Sequence, residues 1–240
     1  MGDDVVIVLG IETSTPLTSV ALGTETQILA SACLTGKARQ DAVVPAIQHL
    51  LRWSGLELSA VGGVAVGLGP GLFTGLRVGV EAGKSLAQVL GVPIVGIPSL
   101  DALAFGVRHT SRRIAAVIDA RRGEVFYAFY RAMPGGVLRE GDYQVAPPDH
   151  LAADLEARGE EVLLAGNGAI LYRRELEEVG GGLEFASAAS AHPQAESLVE
   201  LAIPRLHREE FDRLFDVVPL YLRKSDAEIA WDQRRRGASS

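Results

Sequence analysis

Apolar positions at the start of the chain fall in three short blocks, VVIVLGIETST, LTSVALGT and QILASACL, rich in Val, Ile, Leu and Thr and broken by turn residues near 14–16 and 23–26. Short apolar blocks with that punctuation predict a β-meander. Between residues 39 and 54 the period changes. Val43, Val44, Ile47, Leu50 and Leu51 recur at helical spacing, and Gly55 supplies a stop. A strand follows at 62–68, a helix at 74–91 that ends on a glycine, the strand VPIVGI, and the helix SLDALAFGVRH with Ser99 as its expected cap. Near residue 110 the pattern begins again. IAAVIDA and GEVFYAFYR read as strands joined at 121–123, followed by the strand DYQVAP, a helix at 148–158, the strand EVLLAG, and helices at 169–179 and 194–209. Gly180 to Gly182 form a turn, and VVPLYLRKSDAEIAW is expected to wrap back over the body. Two β-rich starts predict two lobes, residues 1–109 and 110–240, in an α/β chain of mixed sheets flanked by helices.

The stretch GLGPGLFTGLRVGVEAGKS at 67–85 invites a phosphate-loop reading. A Walker loop needs four residues between its first glycine and Gly-Lys, whereas Gly79 and Gly83 enclose three, and Gly83-Lys84-Ser85 lies inside a helical pattern instead of before it. The dinucleotide pattern Gly-x-Gly-x-x-Gly also fails, because Gly67, Gly69 and Gly71 alternate and the next glycine is Gly75. The stretch divides into two parts. GPGLFTG is a tight strand-to-helix turn, with Thr74 as expected cap and Arg77 as the one nearby cation; a helix start of this kind can receive an anion, and the turn alone also explains the glycines. Gly75, Gly79, Gly83, Ala87 and Gly91 then form a stripe with a four-residue repeat. Interior glycine costs a helix about 1 kcal/mol relative to alanine, so close approach of another backbone must offset it. That backbone belongs either to the chain's own sheet or to another subunit.

Apolar residues make up 48% of the chain and charged residues 22%, the balance of a soluble globular protein. A net charge of −7 opposes unaided nucleic-acid binding, which rests on neutralised phosphates. Arg234 to Arg236 read as a solvated tail. No run reaches the length of a membrane span, and Met1 to Asp4 lack the basic start of a secretory signal, so a cytoplasmic location is expected. Cys33 is a lone cysteine in an apolar run, expected to be an inert core thiol. The five histidines, His49, His109, His150, His192 and His207, show no metal-binding spacing, and there is no G-x-S-x-G elbow. Glu12 at a strand end, Asp119 before a turn and Glu124 in a strand are single carboxylates; Glu12 and Asp119 fit a cleft and fit a solvated turn equally well.

GIETST at 10–15, VGLGPGLFTGLRVGVEAGKSLAQVLGVPIVGIPSLDALA at 66–104, IDARRGEVFYAFYR at 118–131, GNGA at 166–169 and PLYLRKSDAE at 219–228 together resemble the TsaB (YeaZ) family. The resemblance spans almost the whole chain. It implies a two-lobed acetate kinase, Hsp70 and actin-like fold, of the ribonuclease H-like type, and a non-catalytic homologue of TsaD that lacks that subunit's metal-binding histidine pair. The implied role is an activating scaffold in the complex that transfers a threonylcarbamoyl group to the tRNA adenosine beside the anticodon. TsaD and the ATPase TsaE are the implied partners, with tRNA met only through the complex, a homodimer when the chain is alone, no membrane partner, no tightly bound cofactor or metal, and ATP only in the complex. The implied partner surface lies on the helices 39–54 and 74–91, and Val43, Ile47, Leu50, Phe73, Gly75, Arg77, Gly79, Gly83 and Ala87 are assigned to it. This chain has Arg39-Gln40-Asp41 where family members commonly have His-Ser-Glu. Glu12 and Thr13 match the family's relative of a first phosphate loop. With Asp119, Gly166 and Gly168 they are assigned to a vestigial nucleotide cleft. The alternatives are a metal-dependent glycoprotease-like peptidase, a small-molecule kinase of the same fold, and a stand-alone homodimer with another role.

Overall fold

A computed structural model of the protein describes residues 6–36 and 41–223. The chain runs through β1 (Ile7–Glu12), β2 (Leu17–Gly23), β3 (Ile28–Thr35), α1 (Val43–Ser54), β4 (Val61–Gly67), α2 (Phe73–Leu90), β5 (Ile94–Ile97) and α3 (Ser99–Gly106). It continues through β6 (Arg113–Arg121), β7 (Glu124–Met133), β8 (Gly136–Ala146), α4 (Pro148–Arg158), β9 (Val162–Ala165), α5 (Asn167–Leu171), α6 (Arg173–Glu177), β10 (Leu183–Phe185) and α7 (Ala195–His207).

The meander forms as its pattern predicts. β1, β2 and β3 pair antiparallel, β4 and β5 add parallel on the other side of β1, and the order is β3-β2-β1-β4-β5. Successive strand residues point to opposite faces, and here both faces are covered. Leu9, Ile11, Val20 and Leu22 meet Val43, Ile47, Leu50, Val80 and Ala87 of α1 and α2. Val8, Ala21, Ala65 and Val95 meet Leu198, Val199, Ala202 and Ile203 of α7. Burial on both sides explains why these strands read as apolar runs. The second sheet has the order β10-β9-β6-β7-β8. One face packs on α3 through Leu100 and Leu103, and the other on α4 to α6 through Leu151, Leu155, Ala169 and Leu176.

Two lobes are therefore present, but the boundary at residue 109 needs correction. α7 belongs to the first lobe although it comes late in the chain, and α3 packs on the second sheet although it precedes it. After α7 the chain runs first along the first lobe: Asp212 N–H donates to Ile94 O at 2.9 Å and Leu220 N–H to Leu68 O at 2.7 Å. The final segment thus wraps back over the body as expected and then crosses to the second lobe, where Leu222 packs on the α3-covered face of its sheet and Arg223 meets Glu124.

Smaller differences have local causes. α1 begins at Val43; Arg39, Gln40 and Arg234 to Arg236 lie outside the described residues. The helix expected at 169–179 is two short helices that meet at Tyr172. Neither Thr74 nor Ser99 caps its helix by side chain: α2 is preceded by Leu72 and α3 by Pro98. Cys33 is exposed, because β3 is an edge strand whose alternate residues face outward. Val44, grouped by spacing with the core face of α1, is 55% exposed.

Candidate functional site

The turn that follows β1 is polar and buried. Glu12, Thr13, Ser14 and Thr15 are all buried, and Glu12 and Ser14 are fully so. Four glycines close over them. A side chain on Gly67 would overlap the Glu12 carboxylate, one on Gly71 the Ser14 backbone carbonyl, one on Gly75 the Thr13 carbonyl, and one on Gly79 the Thr13 hydroxyl. The start of α2 is fastened to the same turn. Leu72 N–H donates to Ser14 O at 2.7 Å, and Thr13 Oγ1 donates to Gly75 O at 2.8 Å. Gly83 continues the stripe onto Val66 and Val64 of β4, and Ala87 sits in the same core.

The glycine ladder is thus a contact between α2 and the chain's own first sheet. Gly75, Gly79, Gly83 and Ala87, with Val43, Ile47 and Leu50 of α1, are buried inside the lobe and cannot form the surface assigned to them. Glu12 and Thr13 need the same correction. They do not line a cleft, because residues 67–79 cover the turn that would present them.

The outer faces of α1 and α2 carry different residues. Trp53 is 68% exposed and Val89 81% exposed, and Val44 is exposed at the start of α1. The His49 ring lies 3.7 Å from the Trp53 ring. Near the start of α2, Phe73 stacks on Tyr221 at 5.2 Å, the Arg77 guanidinium lies 4.0 Å from the Phe73 ring centre, and Arg77 Nε donates to the Tyr221 hydroxyl at 3.1 Å. Phe73 and Arg77 therefore lie on the outer surface of the lobe. Trp53, Val44 and Val89 thus face solvent on helices whose inner faces are already engaged.

A cavity of about 330 Å³ lies between Gly71 to Thr74 of the first lobe and the β6–β7 hairpin of the second. Asp119, Arg121, Arg122 and Arg223 line it, with Phe126 and Tyr221. Asp119 accepts the Arg121 N–H at 2.8 Å and faces the Arg121 guanidinium at 3.3 Å. Arg223 pairs with Glu124 and donates to Ala120 O. Gly166 and Gly168 lie under this strand, against Val117 and the backbone of Ile118 and Asp119, where the Asn167 carboxamide accepts the Asp119 N–H. Of the five residues assigned to a nucleotide cleft, the structure brings Asp119 to a cavity, seals Glu12 and Thr13, and uses Gly166 and Gly168 for close packing of α5. The five histidines lie on separate elements, and among the described residues no three metal-ligating side chains gather.

Comparison with known proteins identifies the family. The family profile described as TsaD, tRNA N6-adenosine threonylcarbamoyltransferase, matches residues 33–231. The chain is 32% identical over 232 residues to the tRNA threonylcarbamoyladenosine biosynthesis protein TsaB of Bacillus subtilis, covering 95% of this chain and 99% of that protein. The chain belongs to the TsaB (YeaZ) family. It is also 28% identical to TsaB of Escherichia coli, across 93% of this chain and 96% of that one. The solved structure of YeaZ from Pseudomonas aeruginosa superposes with a TM-score of 0.78 at 31% identity, covering 90% of this chain and all of that one. A component of a hydroxyglutaryl-CoA dehydratase from Acidaminococcus fermentans shares the fold alone, with a TM-score of 0.51 at 13% identity. The two-lobed acetate kinase, Hsp70 and actin-like architecture expected from the resemblance is therefore the architecture found.

Within this TsaB-family fold, the sequence did not single out the Ser99 contact with Glu12, the exposed Trp53 and Val89, or the Tyr221 contact with Arg77. A signal existed for two of them. Trp53 and Val89 lie off the apolar stripe of their helices, and a large apolar residue outside the stripe faces solvent.

Proposed function

We propose that the chain is a non-catalytic subunit in tRNA threonylcarbamoyladenosine biosynthesis, docking on a TsaD-type partner through the outer faces of α1 and α2. One observation carries the docking part: Trp53, Val44 and Val89 are exposed on helices whose inner faces are fully packed. Membership in a family whose relatives are named for this biosynthesis supports the pathway. Phe73, Arg77 and Tyr221 extend the face toward the interlobe cavity. Under this reading the same face pairs two copies of the chain when the partner is absent. A TsaE-type ATPase and the tRNA meet the assembly through that partner, in the cytoplasm.

The sealed turn bears on the enzymatic alternatives. A kinase of this fold needs an open phosphate loop, and here residues 71–75 occupy the space in front of residues 12–15. Nucleotide therefore enters with the complex and is not held by this turn.

Reconstitution tests the proposal. tRNA modification by the TsaD-type and TsaE-type partners is expected to need this chain, while the chain alone modifies nothing. Full modification in its absence, or a stoichiometric metal and peptidase activity in the purified chain, would overturn it.

A further inference from the structure

Glu12 is a fully buried carboxylate at the meeting point of three turns. Its Oε1 accepts the Ser14 N–H at 2.7 Å, in the turn that α2 is fastened to. Its Oε2 accepts the Ser99 hydroxyl at 2.8 Å, at the start of α3. Ser99 Oγ in turn accepts the Gly69 N–H at 3.1 Å, and Ser99 N–H donates to Gly69 O at 2.7 Å. One carboxylate thus ties residues 13–15, 68–72 and 98–99 together.

We propose that Glu12 is the positioning residue of α2, and that its proton occupancy sets how firmly the turn 68–72 and the start of α2 are held. The consequence for docking rests on the function proposed above, since Phe73 and Arg77 sit on that helix start. Both proton states can be satisfied where they stand. The ionised form receives the Ser14 N–H and the Ser99 hydroxyl. The neutral form has a ready acceptor in the Ser14 hydroxyl, which adjoins the carboxylate and has no other partner.

Among the described residues no cation offsets the buried charge. Arg77 of α2 faces outward onto Phe73 and Tyr221, and Asp101 of α3 faces the second sheet, where Tyr130 and Tyr143 donate to it. Neither contributes a charge to Glu12; burial alone raises its pKa, and the hydrogen bonds from Ser14 and Ser99 oppose the rise. A carboxylate whose folded pKa is raised adds stability that is full below the ordinary carboxylate range and is lost as pH rises through the raised value. The held proton therefore favours the folded bracket toward acid pH.

Thermal unfolding of the full chain from about pH 5 to pH 8.5, for wild type, Glu12→Gln and Ser99→Ala, tests this, together with capture by an immobilised TsaD-type partner at each pH. The wild-type midpoint is expected to rise, relative to that of Glu12→Gln, as pH falls. Ser99→Ala removes a hydrogen bond that favours the ionised form, so it should move this rise to higher pH. Capture by the partner should vary with pH for wild type and be flat for Glu12→Gln. Parallel stability profiles for wild type and Glu12→Gln, or an unmoved profile in Ser99→Ala, would overturn the proposal. Absent capture at every pH, with the stability profiles as expected, would instead sink the docking reading and leave the proton-linked bracket standing.

Discussion

Gly79→Ala separates a packing role for the glycine stripe from a docking role. Alanine in a helix interior gains about 1 kcal/mol over glycine. Against this, the added methyl overlaps the Thr13 hydroxyl, which donates to Gly75 O inside the lobe. Overpacking a close-packed site costs about 1–3 kcal/mol, and displacing Thr13 leaves buried polar groups unpaired for a further ~1–3 kcal/mol. The net loss centres near 3 kcal/mol, and for a chain of this size each kcal/mol lowers Tm by roughly 2–4 °C, so a drop of roughly 6–12 °C is expected. Calorimetry or circular dichroism on the purified chain reads this directly, with Ser85→Ala on the exposed face of α2 as a control that changes Tm little. A second readout matters as much: the Gly79→Ala protein that remains folded should still bind its partner. If Tm instead rises by the helix-propensity gain while binding is lost, the stripe faces a partner and the packing argument fails.

Other expectations concern the edge strand and the lobe boundary. Cys33 should be modified by a thiol reagent in the native chain, faster as pH rises toward its thiol pKa, which partial burial holds above the ordinary value; protection until unfolding would contradict its placement on β3. Leu198→Ala on α7 removes a fully buried side chain from the first lobe and should cost about 2–5 kcal/mol. Hydrogen exchange should then quicken in β1, β2 and β4 more than in β6 and β7, and the reverse pattern would return α7 to the second lobe.

Local order was legible in the sequence where period and punctuation agreed. The meander is written in short apolar blocks, and α1, α2 and α4 end at the left-handed glycines Gly55, Gly91 and Gly159. Long-range choices were not written there. The amphipathic pattern of α7 states that one side is buried but not which sheet buries it, so a helix late in the chain was given to the second lobe. The glycine stripe was visible as a stripe, yet a missing side chain carries no polarity and leaves open which backbone comes close. Ser99 shows why the bracket escaped notice: a serine before an apolar run reads as a helix cap, and its partner Glu12 lies 87 residues away. Asp119 drew notice as an acid before a turn, which is a local feature, whereas the covering of Glu12 and Thr13 depends on Gly67, Gly75 and Gly79 from another part of the chain.

The most direct test of the account is equilibrium binding to a purified TsaD-type partner, comparing Trp53→Glu and Val89→Glu with wild type. Both substitutions sit on solvent-facing helix positions, so Tm should stay close to wild type while affinity falls by at least about tenfold, as for loss of a central apolar anchor. Unchanged affinity for both variants, with the fold intact, would contradict the assignment of the outer faces of α1 and α2 as the docking surface.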